Sequence, residues 1–80
     1  MFKMNKTIET TVGNNVRILR EKCGITQEQL AAKLQTYGCD ITRSAVAKIE
    51  VGQRHLYPDE IFLIRKILSV KYDEFFEGIE

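Results

Sequence analysis

Hydrophobic positions recur at helical spacing in five segments of this chain, with polar or turn-forming residues between them. Between Gly24 and Gly52, two short segments follow one another, from Thr26 to about Gln35 and from Thr42 to Glu50. Each is led by a threonine, whose hydroxyl can accept a hydrogen bond from a backbone N–H in the first turn. This order predicts two short helices joined by a turn, which is the outline of a helix-turn-helix.

The residues around the two threonines support helix starts at these positions. In the first helix, Gln29 can complete a capping box with Thr26, and Ile25 can pack on Leu30 as a hydrophobic staple. The second helix repeats the staple arrangement with Ile41, Thr42 and Val46. In a helix-turn-helix the second helix enters the DNA major groove and presents its N-terminal side chains to the bases. The pattern therefore points to a DNA-binding function.

A longer helix is expected before this pair. The polar N-terminal stretch suggests a flexible arm over residues 1–10, so that the folded domain covers residues 11–80. Thr10 or Thr11 can cap a helix that runs to Cys23 and stops at Gly24. Its buried face is predicted to contain Val16, Leu19 and Cys23.

Two further helices are expected after Gly52. Pro58 suits the first turn of the fourth helix, whose buried stripe is predicted to contain Ile61, Ile64 and Leu68. A short fifth helix, from about residue 71 to residue 77, carries three aromatic side chains, Tyr72, Phe75 and Phe76. We expect Phe75 to complete the core. Tyr72 and Phe76 are candidates for a dimer contact, although a core or plain surface position explains Phe76 equally well.

One arginine and one glutamate fall on faces that the pattern assigns to the interior. Arg20 lies within the apolar stripe of the first helix, and Glu50 lies one turn after Val46 on the inward side of the third. An unpaired charge taken out of water costs several kcal/mol. We therefore predict a structural ion pair between Arg20 and Glu50, against the alternative that both side chains are exposed.

Net charge matters here mainly through its distribution. The formal charge of the 80 residues is only +1. Residues 1–57 carry nine basic and five acidic side chains, whereas residues 58–80 carry three and six. A basic face that meets phosphates and an acidic tail turned away from them would explain this split. An unevenly charged solvated surface would explain it as well.

Other classes of protein fit the sequence poorly. No apolar run reaches the length of a membrane span or a signal peptide, and Cys23 and Cys39 form no disulfide framework, so we expect a cytoplasmic protein. Cys39, Asp40 and His55 are residue types that serve catalysis, but no nucleophile motif or phosphate-binding loop surrounds them. The two cysteines and the histidine lack the spacings of a zinc site. We expect neither an enzyme nor a metal or other cofactor.

Several of these residues occur together in one known family. Arg20, the stretch GITQEQLAAKL and the stretch ITRSAVAKIEVGQR resemble the lambda-repressor and Cro-like helix-turn-helix transcriptional regulators, also called the XRE type. The resemblance extends from about Thr11 to Phe76. It implies an all-α, compact five-helix bundle that binds a double-stranded DNA operator as a homodimer and regulates transcription as a repressor. The family also commonly pairs the equivalents of Arg20 and Glu50.

The same resemblance implies roles for individual residues. Gln27, at the start of the second helix, would contact a DNA phosphate. Arg43, Ser44 and Lys48, on the outer face of the third helix, would contact bases, although an ordinary solvated face is the alternative. Arg54 would contact a second phosphate.

Three positions depart from the family pattern. About five extra residues lengthen the turn between the second and third helices, where Gly38 can end the second helix in a left-handed conformation. Val51 stands where many relatives have an amide side chain. Arg65 replaces a small residue on the fourth helix, and we expect it to lean outward along its aliphatic stem.

A second class of function competes with DNA binding. The fifth-helix aromatics, or the enlarged turn near Tyr37, can instead dock a protein, as in an antitoxin or an adaptor. Salt distinguishes the two, because DNA binding releases counterions and weakens steeply as salt rises.

Overall fold

Helices account for all the regular secondary structure of residues 5–79, the part of the chain that this computed structural model describes. There are five in that range, as predicted: α1 (Lys6–Lys22), α2 (Gln27–Thr36), α3 (Arg43–Glu50), α4 (Pro58–Leu68) and α5 (Tyr72–Phe75). Helix α3 packs against α1 and α2, while α4 packs against α2 and α5 against α1. Within residues 5–79, none of these helices is long and apolar enough to cross a membrane.

Helix α1 begins earlier than the sequence predicted. Asn5 is its N-cap, and the Asn5 side chain accepts a hydrogen bond of 3.1 Å from the Ile8 amide. The predicted cap at Thr10 or Thr11 is therefore wrong, and residues 6–10 are helical instead of forming an arm. The first four residues of the predicted arm lie outside the described residues.

Twelve hydrophobic residues form one buried core. They come from every helix and from the connector before α3: Val12, Val16, Leu19, Leu30, Ala31, Leu34, Ile41, Val46, Ile49, Ile64, Leu68 and Phe75. Phe75 is fully buried, as expected, whereas Cys23 is exposed at the end of α1 and does not join the predicted buried face. Ile61 is only partly buried, because it borders a groove on the surface.

The contact between α1 and α3 is a close approach of two backbones. Gly13 is buried in the middle of α1, and a Cβ at this position would overlap the carbonyl oxygen of Ile49. Only glycine allows the two helices to meet at this distance. The mid-helix glycine, which is costly for an isolated helix, thereby fixes how near α3 lies to α1.

The enlarged turn is the connector formed by residues 37–42. Gly38 has a φ of +82° and ends α2, as predicted, with its amide and that of Cys39 bonded to carbonyls of the last turn. Gln35 then donates to the carbonyl of Ile41 at 2.7 Å, and Ile41 is buried in the core. The connector is therefore fixed at both ends.

The C-terminal part is shorter and more irregular than predicted. Helix α5 contains only four residues, because the backbone after Phe75 leaves the helical conformation. The Asn15 side chain of α1 donates to the carbonyls of Phe75 and Glu77, at 2.8 and 2.9 Å, and so holds this end of the chain against α1.

Candidate nucleic-acid interface

Helix α3 begins at a well-formed cap. Thr42 has an extended backbone, and its side chain accepts from the Ala45 amide at 3.2 Å. Helix α2 begins in the same way. The Thr26 side chain accepts from the Gln29 amide at 3.0 Å, and the Gln29 side chain accepts from the Thr26 amide. Both predicted helix starts are confirmed. The first turn of α3 is therefore ordered and leads out of the connector.

The two faces of α3 have opposite characters. Val46 and Ile49 are buried in the core. Arg43, Ser44 and Lys48 are exposed on the other side. Among residues 5–79 no hydrogen bond or ion pair engages these three side chains. A helix of this form presents free polar groups on a surface that the core holds rigidly in place.

Arg20 and Glu50 form a bidentate ion pair inside the domain. Arg20 Nε donates to Glu50 Oε2 at 2.7 Å, and a terminal nitrogen donates to Oε1 at 3.0 Å. The other terminal nitrogen of Arg20 donates to the Ile25 carbonyl at 2.8 Å. These bonds with Glu50 raise the pKa of Arg20. The pair links α1, α3 and the turn before α2, which explains why two charges are retained in a small core.

Gln27 takes part in the same network. Its side-chain amide donates to Glu50 Oε1 at 3.0 Å, so it lies at the start of α2 as predicted but also contacts the ion pair. A primary amide has two N–H groups, so the contact with Glu50 uses only one of those on Gln27. Sequence reasoning missed the contact with Glu50, because it depends on how α2 packs against α3.

Arg54 is held by an ion pair within the domain. Its two terminal nitrogens donate to the two oxygens of Glu60, at 2.9 and 3.0 Å, and one of them also donates to the His55 carbonyl at 2.8 Å. Burial alone would raise the pKa of Glu60, but the hydrogen bonds from Arg54 and from the Tyr57 amide outweigh burial and lower it. Arg54 joins the loop after α3 to the start of α4.

Arg65 also differs from its expected position. Its guanidinium lies over the Tyr72 ring, 4.8 Å from the ring centroid, and donates to the Val70 carbonyl at 3.3 Å. Its Nε is buried and has no hydrogen-bond partner among the described residues. The side chain thus folds back toward α5 instead of leaning outward, and its guanidinium is stabilised by the aromatic face of Tyr72.

The surface contains several exposed apolar side chains. Val51, at the end of α3, is 58% exposed, and Tyr72 and Phe76 near the C-terminus are 44% and 45% exposed. Phe76 borders a groove of about 160 Å³ that is also lined by Ile8, Val12, Leu56 and Ile61. Cys39 is partly buried, and burial together with the charges of Glu60 and Asp59 raises the pKa of its thiol. A raised thiol pKa disfavours the reactive thiolate.

This geometry agrees with a comparison against known families. The helix-turn-helix family model matches residues 16–75, three quarters of the chain, and includes α2, the connector and α3. The chain belongs to the lambda-repressor-like helix-turn-helix family. Members of this family are typically regulators that bind DNA and not enzymes. Membership therefore supports a DNA-binding transcription regulator.

A solved structure shows the same fold in another protein. The crystal structure of the DNA-binding domain of BldD superposes on this lambda-repressor-like domain with a TM-score of 0.72. The match covers 91% of this chain and 99% of that one, at 16% sequence identity. At such low identity the similarity shows the fold alone, and it confirms the predicted five-helix architecture. None of the curated proteins matches the sequence.

Proposed function

We propose that this domain binds a specific DNA sequence by placing α3 in the major groove, and that it represses transcription. The observation that carries the proposal is the exposed row formed by Arg43, Ser44 and Lys48 on a capped helix whose opposite face is buried. A recognition helix needs both properties, because its outer side chains must reach the bases while its position stays fixed.

The three side chains differ in what they can read. Arg43 has a planar fork of donors that can reach O6 and N7 of one guanine, a contact worth about 1–3 kcal/mol of discrimination against a wrong base. Ser44 can donate to or accept from more than one base, and Lys48 is a flexible point charge. Arg43 is therefore proposed as the main determinant of specificity.

Gln27 is proposed to contact a phosphate beside the groove. It lies in the first turn of α2, where free backbone N–H groups favour an anion. One N–H of its side-chain amide is directed at Glu50, which leaves the second for a phosphate oxygen. Arg54 is left out of the proposed contacts, because Glu60 holds both of its terminal nitrogens.

Two copies of the domain are proposed to bind together. One short helix spans too few base pairs to define a unique site, and dimers of helix-turn-helix proteins read half-sites about 34 Å apart. The exposed aromatic rings of Tyr72 and Phe76 are the proposed contact between the copies. A protein that occupies its site excludes others from it, which is the proposed mode of repression.

Selection of bound sites from random DNA duplexes at physiological salt tests the proposal. With the selected site, Arg43→Ala is expected to lose the preference for one base position while the fold is kept. Gln27→Ala is expected to weaken binding to all sequences alike. Arg17→Ala is the matched control, because it removes one cation from α1, where Arg17 pairs with Glu21. Equal discrimination by wild type and Arg43→Ala would contradict the assignment.

A protein-binding role is the second candidate, and it is favoured by the exposed Tyr72 ring and by Phe76 at the apolar groove. The salt dependence of complex formation separates the two functions. Binding to DNA is expected to weaken by orders of magnitude as salt rises, because each neutralised phosphate releases counterions. A contact through Tyr72 and Phe76 would change little over the same range.

A further inference from the structure

The N-terminal end of α1 lies on the loop that follows the recognition helix. Lys6 Nζ donates to the carbonyl of Gly52. Thr10 packs against the same glycine so closely that a Cβ on Gly52 would lie 2.6 Å from Thr10 Oγ1. This part of α1 precedes residue 16, where the family match begins. The residues that α1 contributes to this contact therefore lie outside the part of the chain that matches the family model.

Gly52 is also the residue that ends α3. Its φ of +77° turns the chain out of the helix, and its amide bonds to the Ile49 carbonyl at 3.1 Å. The next amide, that of Gln53, bonds to the Lys48 carbonyl at 2.8 Å. These two bonds form a Schellman motif. Whatever holds Gly52 therefore also holds the last turn of the recognition helix.

A carboxylate beside Lys6 completes the contact. The Glu9 side chain is only 9% exposed, and its Oε1 lies 3.7 Å from Lys6 Nζ. Its Oε2 is hydrogen-bonded to Nδ1 of His55, whose ring is 54% exposed and belongs to the loop after α3. The hydrogen bond with His55 is the main reason that the pKa of Glu9 is lowered. Glu9 thus joins α1 to this loop from a nearly buried position.

We propose that Glu9 and His55 form a proton-sensitive clasp that holds the end of α3 in its DNA-binding position. The proposal rests on the proposed function, because it assigns to both residues a positioning role in DNA binding. The other charged groups that face the clasp are Lys6 on α1, Arg54 in the loop and, through Arg54, Glu60 on α4.

The sign of the proton dependence follows from the charges. An imidazole changes its charge within about pH 5 to 8. Lysine, arginine and glutamate side chains keep their charges in that range. When the imidazole carries a proton, a cation faces the Glu9 carboxylate, so the clasp is an ion pair. When the imidazole is neutral, its N–H still donates to the Glu9 carboxylate, but the attraction between two opposite charges is lost, so the clasp is weaker.

Amide hydrogen exchange at pH 6 and pH 8 tests the clasp without any DNA. With Glu9→Gln, we expect the protection factors of the Gly52 and Gln53 amides to fall about fivefold at pH 6 and less at pH 8. Glu21→Gln is the matched control, since it removes an exposed carboxylate from the same helix and should leave both amides unchanged. Equal protection in wild type and Glu9→Gln at pH 6 would overturn the proposal.

A second variant separates positioning from a merely structural role. His55→Gln keeps a hydrogen-bond donor but cannot gain a proton, so the difference in Gly52 protection between pH 6 and pH 8 should disappear. If it persists, the clasp is not proton-sensitive and the proposal fails.

DNA binding supplies the functional arm of the test. With the duplex selected by the wild type, Glu9→Gln is expected to bind about threefold more weakly at pH 6, with a smaller loss at pH 8. An unchanged affinity beside reduced protection would refute the positioning role. If the wild type selects no duplex at all, the proposed function fails, while the exchange measurements still decide whether the clasp exists.

Discussion

The two ends of α3 differ in almost everything that surrounds them. The N-terminal end follows a connector and exposes Arg43 and Ser44 to solvent. The C-terminal end is enclosed: α1 meets the Ile49 carbonyl at Gly13, and Glu50 is paired with Arg20. This difference suits the proposed role of the eight-residue helix in reading DNA. One end is fixed by the fold, so the other can present side chains that the fold does not use.

Replacing Gly13 by alanine is expected to have one of the two largest effects on stability, because it disrupts the enclosed end. The new Cβ would overlap the Ile49 carbonyl oxygen, so α1 and α3 must separate. We expect a loss of about 2–3 kcal/mol in the free energy of unfolding, despite the better helix propensity of alanine. Urea denaturation followed by circular dichroism measures it.

Gly38→Ala is the control for this variant. The alanine is strained in the left-handed backbone conformation of this position, but no atom lies within 4 Å of the added Cβ. Its expected cost is about 1 kcal/mol. Equal stability of Gly13→Ala and the wild type would show that the two helices can separate freely.

Replacing Glu50 by glutamine breaks the ion pair at the same end. Arg20 is only 7% exposed, and it would keep its bond to the Ile25 carbonyl but retain only the more distant Glu21 carboxylate, 3.9 Å away, as an anion. We expect destabilisation of about 3 kcal/mol. Arg20→Lys should also be costly, because an ammonium cannot reproduce the bidentate contact. Thermal unfolding measures both, with Arg17→Ala as the control, because it breaks a surface pair whose loss should cost under about 1 kcal/mol.

Acid is expected to loosen the loop that follows the enclosed end. The pKa values of Glu60 and Glu9 are both below the usual 4.5. A carboxyl group whose pKa is lowered by folding stabilises the native state above its unfolded pKa, and this contribution is lost as the pH falls through the folded value. We expect a loss of about 1–2 kcal/mol between pH 5 and pH 3.

Urea denaturation at several pH values follows this loss. A Glu60→Gln variant has nothing to titrate at that position and should show a flatter profile. An identical profile in the variant would mean that Glu60 does not contribute to the acid sensitivity.

Substitutions at the open end of α3, which is its exposed N-terminal end, are expected to have the smallest effect on stability. Arg43→Ala and Ser44→Ala remove side-chain groups that form no hydrogen bond or ion pair among residues 5–79. Surface changes of this kind usually alter the free energy of unfolding by about 0.5 kcal/mol or less. A larger loss, measured by urea denaturation, would mean that the open end also supports the fold.

The sequence predicted the features that depend on local rules. The caps at Thr26 and Thr42 and the left-handed Gly38 follow from short-range preferences, and the structure has them. The contact between Arg20 and Glu50 could also be anticipated, because two opposite charges on buried stripes have few ways to be satisfied. The family signature then indicated the arrangement of the helices.

Other features that depend on distant partners were not predicted. The early start of α1 had a local signal in Asn5, a good cap residue, but the reason it matters is the contact of Lys6 with Gly52. Glu60 lies in the first turn of a helix, where acidic residues are common. Its position in the sequence therefore did not indicate an ion pair with Arg54. The direction of Arg65 depends on Tyr72, which only the folded chain brings near.

The connector before α3 is a suitable place for a fluorescent label. Its beginning is fixed by hydrogen bonds to the last turn of α2, and its end by the buried Ile41 and the bond from Gln35. Asp40 lies between these anchors and is exposed. A fluorophore attached there would sit next to the first turn of α3, the proposed DNA-contacting end, without entering the core, so it can signal the arrival of a ligand while the protein stays intact.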